Sequence, residues 1–483
     1  MAPFIDVTDN SMTVNGIGSN GTAQALPRRK LRIAIIGSGL AGATAGGLLT
    51  KLPDVEVKIY EKSDVVREVG ALIGVAVSAM KTLSRCLSPE GFEQLQYILY
   101  RGPYADGINH RHWKTGEVLK QAVSPHTPRH LQEGRTSRVP LHRILMNEVP
   151  EGVVQHSRSA VSTEKITKGD DAGAMQVTFT DGTSEIADVV VAADGLYSKI
   201  RRHYHPDSQI ASRGRVAYRY TFPTKLIEHI KDLPEDTSSF RKHGEIVFLS
   251  RLEPGVYAFT ALIDTPDEEA AQLEWAKPMG QAGLERLRRG LEGWNPIIHR
   301  VIDVLPDIQV YPLQTSEWMR SLVRDDAVAF VGDAAHPTAG AYGAGCSFAF
   351  NDVWCLYRSL GSAHDPRSSP RVVPYHVPYA LHLYNESRVH FLHRVERQIQ
   401  MDKRDYSYIR AAGDDHQEWV RRYKERFTIN WWLLEHDAEA EWQMVESEVR
   451  FRRDEFGLGS LDENMASVDL GAAKGLAPHL GAF

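Results

Sequence analysis

An α/β fold follows from three observations in the sequence. Three apolar runs, LRIAII (31–36), VVVAA (189–193) and AVAFV (327–331), each end on a glycine-containing turn. Strand-like alternation fills the segment between the second and third runs, and helical spacing takes over from about Tyr375 onward. Short runs rich in branched residues are what parallel strands buried on both faces require. The predicted class is therefore a βαβ unit of Rossmann type with an inserted β-sheet domain and C-terminal helices.

The elements read in order as follows. LRIAII is the first strand, the small-residue stretch after GSGLAG is a helix, and VEVKIYEKS is a second strand closing on Glu61. GINHRHWKTGEVLKQ alternates as a hairpin turning at 114–116. ADVVVAADGLYSKIRRHY is a strand, a glycine turn and a basic helix. Between 206 and 320 the strand-like GEIVFLS and GVYAFTALI mix with the helix-like QAGLERLRRGLEGW, and DAVAFVGDAAHP returns to the buried-strand pattern. GSAHDPRSSPRVVP is a loop between helices, and no internal repeat is present.

Composition narrows the function class. The 483 residues are 42% hydrophobic and 24% charged, with a net charge of -6, an ordinary globular balance that offers no basic surface for nucleic acid or anionic lipid. No apolar run is long enough to span a bilayer, and residues 1–30 lack an apolar signal core and read as a disordered tail. Cys86, Cys346 and Cys355 form no CxxC pair or disulfide framework. His390 and His393 share a helix face, but no H-E-x-x-H or second cluster supports a metal site. The expectation is a soluble cytoplasmic protein, monomeric or homodimeric, with no metal, nucleic-acid or membrane partner.

GxGxxG occurs twice. GIGSNG (16–21) lies in the polar tail with no strand before it and is a chance match. GSGLAG places Gly37, Gly39 and Gly42 between a strand and a helix, and Glu61 follows 19 residues after Gly42. There the glycines let the backbone approach a pyrophosphate at a helix N-terminus, and the acid accepts from a ribose hydroxyl. This predicts a dinucleotide without separating FAD from NAD.

GSGLAG, AADGLYSKIRR (with Asp194) and FVGDAAHPTAGAYGAG (with Asp333), in this order, resemble the flavoprotein aromatic hydroxylases of the para-hydroxybenzoate and salicylate hydroxylase type. REVGALIG (67–74) and PLHRILMNEV around Arg143 add secondary matches, and the resemblance covers roughly 31–397. It implies non-covalent FAD, held by Gly37, Gly39, Gly42, Glu61, Gly74, Arg143 and Asp194. It also implies Asp333 on the ribityl chain, the helix start at Gly345 and Cys346 facing the pyrimidine end of the flavin, and Pro337 shaping the cavity above it. A helix-capping aspartate is the alternative for Asp333. Two positions depart from the pattern: Gly340 stands where a proline is usual, and Asn351-Asp352 where Glu-Asp is usual.

The resemblance further implies NAD(P)H and O2 as co-substrates and hydroxylation of a small phenolic or hydroxybenzoate-type ring, with or without decarboxylation or dearomatisation. Arg219, on GRVAYRYTF, takes the place of an arginine that contacts the phenolate or carboxylate; packing along the strand is its alternative. EIVFLSRLEP lacks the tyrosine usual over the flavin, and Tyr218, Tyr220, His243 and Tyr257 are the fallback anchors. His110 and His112 alternate onto one strand face. The implied division is 31–205 and 321–370 as the FAD-binding domain, 206–320 as the substrate domain and 371–483 as a helical region. Rival readings are another flavin oxidase or halogenase, disfavoured by the missing W-x-W-x-I-P, or a non-catalytic flavin-fold binding protein.

Overall fold

The computed structural model describes residues 28–64, 72–102, 107–122, 124, 126–413 and 415–455. Residues 1–27 of the expected tail, with the glycine match at 16–21, and positions 67–71 of REVGALIG lie outside them.

Strand order in the first sheet follows from the apolar runs. Leu31–Ile36 occupies the centre, paired in parallel with Val189–Ala192 on one side and Val55–Tyr60 on the other; Val328–Phe330 adds beyond Val189–Ala192. Val154–Gln155 and Val323–Arg324 form the two edges. Leu31, Ile35, Val190, Val191, Ala329 and Phe330 are fully buried because helices cover both faces. Register decides function here: Ile36 is opposite both Tyr60 and Ala192, and Ala192 is opposite Phe330. The glycine turn, Glu61, the Asp194 turn and the Asp333 turn therefore leave the sheet along a single edge, at the carboxyl ends of parallel strands, where open α/β sheets bind ligands.

The second sheet has eight strands, in the order Lys277–Pro278, Gln309–Thr315, Ala211–Pro223, Val256–Asp264, Glu245–Arg251, Thr237–Lys242, Ile108–His112 and Val118–Ala122. One face is packed by the helices Gly280–Gly290 and Pro296–Asp303, with Val216, Phe240, Leu249, Phe259, Leu284 and Ile298 in a core separate from that of the first sheet. The hairpin 108–122 pairs here through Ile108–His112 and Thr237–Lys242, although it falls inside the 31–205 segment. Its buried partners are distant in sequence, so local alternation showed the hairpin but not the sheet that receives it.

Helix Gly345–Ser362 packs on helix Leu40–Leu49, and the 34-residue helix Val377–Arg410 packs on Gly345–Ser362. At 1.5 Å per residue the long helix runs about 50 Å, enough to reach helix His416–Arg426, which packs on Val118–Ala122 of the second sheet. No helix among the described residues is long and apolar enough to cross a membrane, and no metal-binding cluster occurs among them.

Candidate active site

The glycine turn is shaped by two backbone demands. Gly37 has φ +98°, and a Cβ on Gly42 would lie 1.9 Å from the Gly37 carbonyl oxygen. Gly39 differs: nothing stands within 4 Å of where its Cβ would be, so the space above it is open. Glu61 reaches across from the next strand. Its Oε2 accepts from the Ser38 N–H (2.8 Å) and hydroxyl (2.9 Å), and its Oε1 accepts from the Ser63 N–H (2.9 Å). Burial works against the charge, but these donors outweigh it and hold the carboxyl below its usual range.

Asp194 accepts from the Lys199 N–H at 2.8 Å through Oδ2, while its Oδ1 is buried without a partner; desolvation raises its pKa. Arg201, buried in the helix Lys199–Tyr204, donates to the carbonyls of Asp333 and Ala334 (both 3.1 Å) and so ties the second turn to the third. Asp333 opens to solvent at the strand edge, yet the surrounding protein is dense enough for desolvation to raise its carboxyl above the usual range, with His336 and Arg201 pulling the other way. The carboxylate hydrogen-bonds to no described residue, so it is not a helix cap. An unpartnered carboxylate, an orphaned Asp194 oxygen and the open space over Gly39 fit the hydroxyls and phosphates of a dinucleotide.

Behind the Asp333 turn lies a buried ionic cluster. Asp352 accepts from the Gly332 N–H (2.9 Å) and His336 Nε2 (2.6 Å) through Oδ2, and from Arg388 Nε (2.8 Å) through Oδ1. Asp352 and Arg388 are wholly inaccessible. Burial opposes the Asp352 charge, but His336 and Arg388 keep its pKa low. Asn351, in place of the usual glutamate, accepts from the Thr82 hydroxyl at 2.6 Å within the core.

The loop from Pro337 to the helix start is strained. Ala339, Gly340, Tyr342 and Gly343 all have positive φ. Gly340, at +81°, replaces the usual proline for a direct reason: proline is locked near -65° and cannot adopt that backbone. The Thr338 carbonyl accepts from Arg213 (2.8 Å), and Tyr342 donates to Asp402 (2.7 Å), fixing the loop to both the second sheet and the long helix. Gly345 and Cys346 begin helix Gly345–Ser362, and the Cys346 thiol donates to the Gly74 carbonyl (3.3 Å), bringing those three residues together. Burial pushes the Cys346 thiol up to about 12, so it is not a thiolate at neutral pH.

Arg143 does not join this group. It is exposed on helix Arg138–Asn147, whereas Arg138 is half-buried with Glu61 acting on its charge. The signal was in the spacing: 138, 141, 142 and 145 follow i, i+3, i+4, i+7, the stripe on which Leu141, His142 and Leu145 are buried. Arg143 falls off that stripe, whereas Arg138 lies on it.

In the second sheet, Tyr218 and Tyr257 are buried in the helix-packed core, with Tyr220 packed against it; Tyr218 accepts from Arg286 Nε at 2.8 Å. His243 sits in a left-handed turn against Trp419, and His112 faces His416. Tyr218, Tyr220, His243 and Tyr257 therefore all pack against neighbouring side chains. Arg219 points away from the core that buries Tyr218 and Tyr257, in a cross-strand row with Gln309, Thr260, Phe248, Ser239 and His110. Its guanidinium stands 5.2 Å from the Tyr311 ring and pairs with no carboxylate among the described residues; burial lowers its pKa. Thr260 and Phe248 carry no sequence signal of their own, because only register makes them its neighbours.

No family model matches the chain. It is 28% identical over 337 residues to a 3-amino-4-hydroxybenzoate 2-monooxygenase of Streptomyces platensis, spanning 69% of this chain and 80% of that protein. It is likewise 28% identical over 341 residues to a 6-hydroxynicotinate 3-monooxygenase of Pseudomonas fluorescens (68% and 82%). A solved salicylate hydroxylase substrate complex superposes with TM-score 0.68 at 20% identity, covering 86% of this chain and 98% of that one. HpxO of Klebsiella pneumoniae, complexed with FAD and uric acid, does so with TM-score 0.63 at 22% identity (87% and 97%). With its motif turns gathered on one sheet edge, the chain shares the fold of these solved structures and is similar in sequence to monooxygenases named for hydroxylated aromatic rings.

Proposed function

We propose that the chain uses FAD, NAD(P)H and O2 to hydroxylate a small phenolic or hydroxybenzoate-type substrate. The observation that carries this reading is the convergence of Gly39, Glu61, Asp194 and the unpartnered Asp333 on one edge, in a chain whose relatives are named for oxygenating hydroxylated rings. When bound, FAD supplies the redox chemistry: two electrons come from NAD(P)H, one oxygen atom of O2 enters the ring and the other leaves as water. The chain's own residues hold and orient. The turn at Gly37–Gly42 and Glu61 hold the adenosine end, with Arg138 beside them. Asp333 holds the ribityl hydroxyls, and the amides at Gly345 and Cys346, at a helix N-terminus, favour negative charge on the flavin's pyrimidine end.

Arg219 anchors the substrate's phenolate or carboxylate. An unpaired, half-buried guanidinium gains most from a charge-assisted bond to an anion. The FAD-binding unit comprises 31–205 and 321–370 without the 108–122 hairpin, which works with the substrate sheet at 206–320. Free Cys86, Cys346 and Cys355 suit a cytoplasmic enzyme.

A panel of phenols and hydroxybenzoates, screened for stimulated NAD(P)H oxidation, tests the reading; a flavin-loaded chain that no member stimulates would refute it. Glu61→Ala should weaken FAD binding by about 1.5–3 kcal/mol, roughly 10- to 150-fold, read as the FAD dissociation constant. Asp333→Ala and Arg219→Ala should fail differently. The first lowers FAD occupancy. The second keeps FAD but raises the substrate KM and diverts reducing equivalents to H2O2, since a 1 Å misplacement can cost about 10²-fold in transfer. Wild-type KM and coupling in Arg219→Ala would make the arginine structural.

A further inference from the structure

A cleft of about 600 Å3 opens between the end of helix Pro89–Ile98 and the turn Arg129–Leu131. Gln96, Tyr100, Arg101, Arg129 and His130 line it, and among the described residues no carboxylate does. Arg101 is only 9% exposed. Its Nε donates to the Gln132 carbonyl (3.3 Å) and one Nη to the Gln96 side-chain oxygen (2.8 Å), both neutral acceptors. Among the described residues nothing accepts from its other Nη, and no acid pairs with it. Burial, then Arg129 and Arg135 (the latter paired with Glu133 at 2.9 Å), lower its pKa to about 10, and among the described residues the guanidinium has no counterion. Burying a charge in that way is costly, and a bound anion relieves the cost.

The cleft also lies close to the cofactor edge. Tyr100 exchanges two backbone hydrogen bonds with Arg135 (2.9 Å each), Arg135 pairs with Gly74, and the Gly74 carbonyl meets the Cys346 thiol. Two strand spacings, about 10 Å, therefore separate Tyr100 at the cleft rim from Gly74, and the thiol contact at 3.3 Å carries the path on to the start of helix Gly345–Ser362, within reach of an extended dinucleotide.

We propose that this cleft docks the pyrophosphate of the nicotinamide reductant, with Arg101 as the principal group that binds it and Arg129 and His130 at its rim. This rests on the reading that NAD(P)H reduces the chain's FAD. The test is calorimetric titration of the FAD-loaded protein with ADP-ribose, which carries the reductant's pyrophosphate but no nicotinamide, alongside anaerobic flavin reduction by NADH and NADPH. ADP-ribose should bind the wild type, less tightly as salt rises. Arg101→Ala should weaken it about tenfold or more, and raise the reductant concentration for half-maximal reduction similarly, with FAD content retained. Arg129→Glu, at an exposed position, should weaken it in the same direction and decides the matter if Arg101→Ala misfolds. Failure of ADP-ribose to bind the wild type, or equal binding by wild type and the folded variants, would overturn the proposal. A wild-type flavin that neither reductant reduces would instead sink the oxygenase reading, and the ADP-ribose titration would still decide the cleft.

Discussion

Asp352→Ala is expected to destabilise the protein by about 3–5 kcal/mol, because it strands the Arg388 guanidinium in the core. The loss also unhooks His336 and the Gly332 N–H, so the Asp333 turn should loosen with it. Urea unfolding of the cofactor-free protein measures the first effect and FAD affinity the second. The paired change Asp352→Leu with Arg388→Met should recover much of the stability, since removing both charges leaves none unpaired. The pH dependence has a defined sign. The Asp352 pKa is depressed in the folded state, so its contribution is present above the unfolded carboxyl pKa and is lost as pH falls through the folded one. A Asp352→Ala protein within 1 kcal/mol of wild type would mean that the cluster is solvated rather than core.

Gly42→Ala and Gly39→Ala should separate a turn that merely folds from one that holds a ligand. A methyl at Gly42 collides with the Gly37 carbonyl at 1.9 Å, a backbone atom that cannot rotate aside. That substitution should cost about 1–3 kcal/mol in the cofactor-free protein and lose FAD as well. A methyl at Gly39 meets nothing in the chain, so stability should stay within about 0.5 kcal/mol. It occupies the space a pyrophosphate needs, and FAD affinity should fall about tenfold or more. Unimpaired FAD binding by Gly39→Ala would remove the pyrophosphate from that turn.

The sheet edge was legible in the sequence because each of its parts is local. A buried strand, a glycine turn and an acid are short patterns, and parallel register aligned them without further information. The buried cluster was not legible, since His336, Asp352 and Arg388 lie on three elements at separations of 16 and 36 residues that no helical or strand period links. The helical stripe that buries Leu141 and Leu145 also carries Arg138, while the motif match falls on the exposed Arg143. The row beside Arg219 depends on antiparallel register in an eight-stranded sheet, and the 108–122 hairpin joins it through a parallel pairing with residues 237–241 that local alternation cannot specify. Gly340 was legible as a departure, and only its positive φ explains why proline is absent there.

Isotope labelling separates oxygen transfer to a ring from flavin turnover alone. The FAD-loaded protein should be turned over with NADH or NADPH under 18O2, in the presence of whichever phenol or hydroxybenzoate most stimulates reductant oxidation, and the product weighed by mass spectrometry. One 18O atom is expected in the ring product for each coupled NAD(P)H consumed. Product oxygen drawn from water, or NAD(P)H consumption that yields only H2O2 with every ring tested, would contradict it.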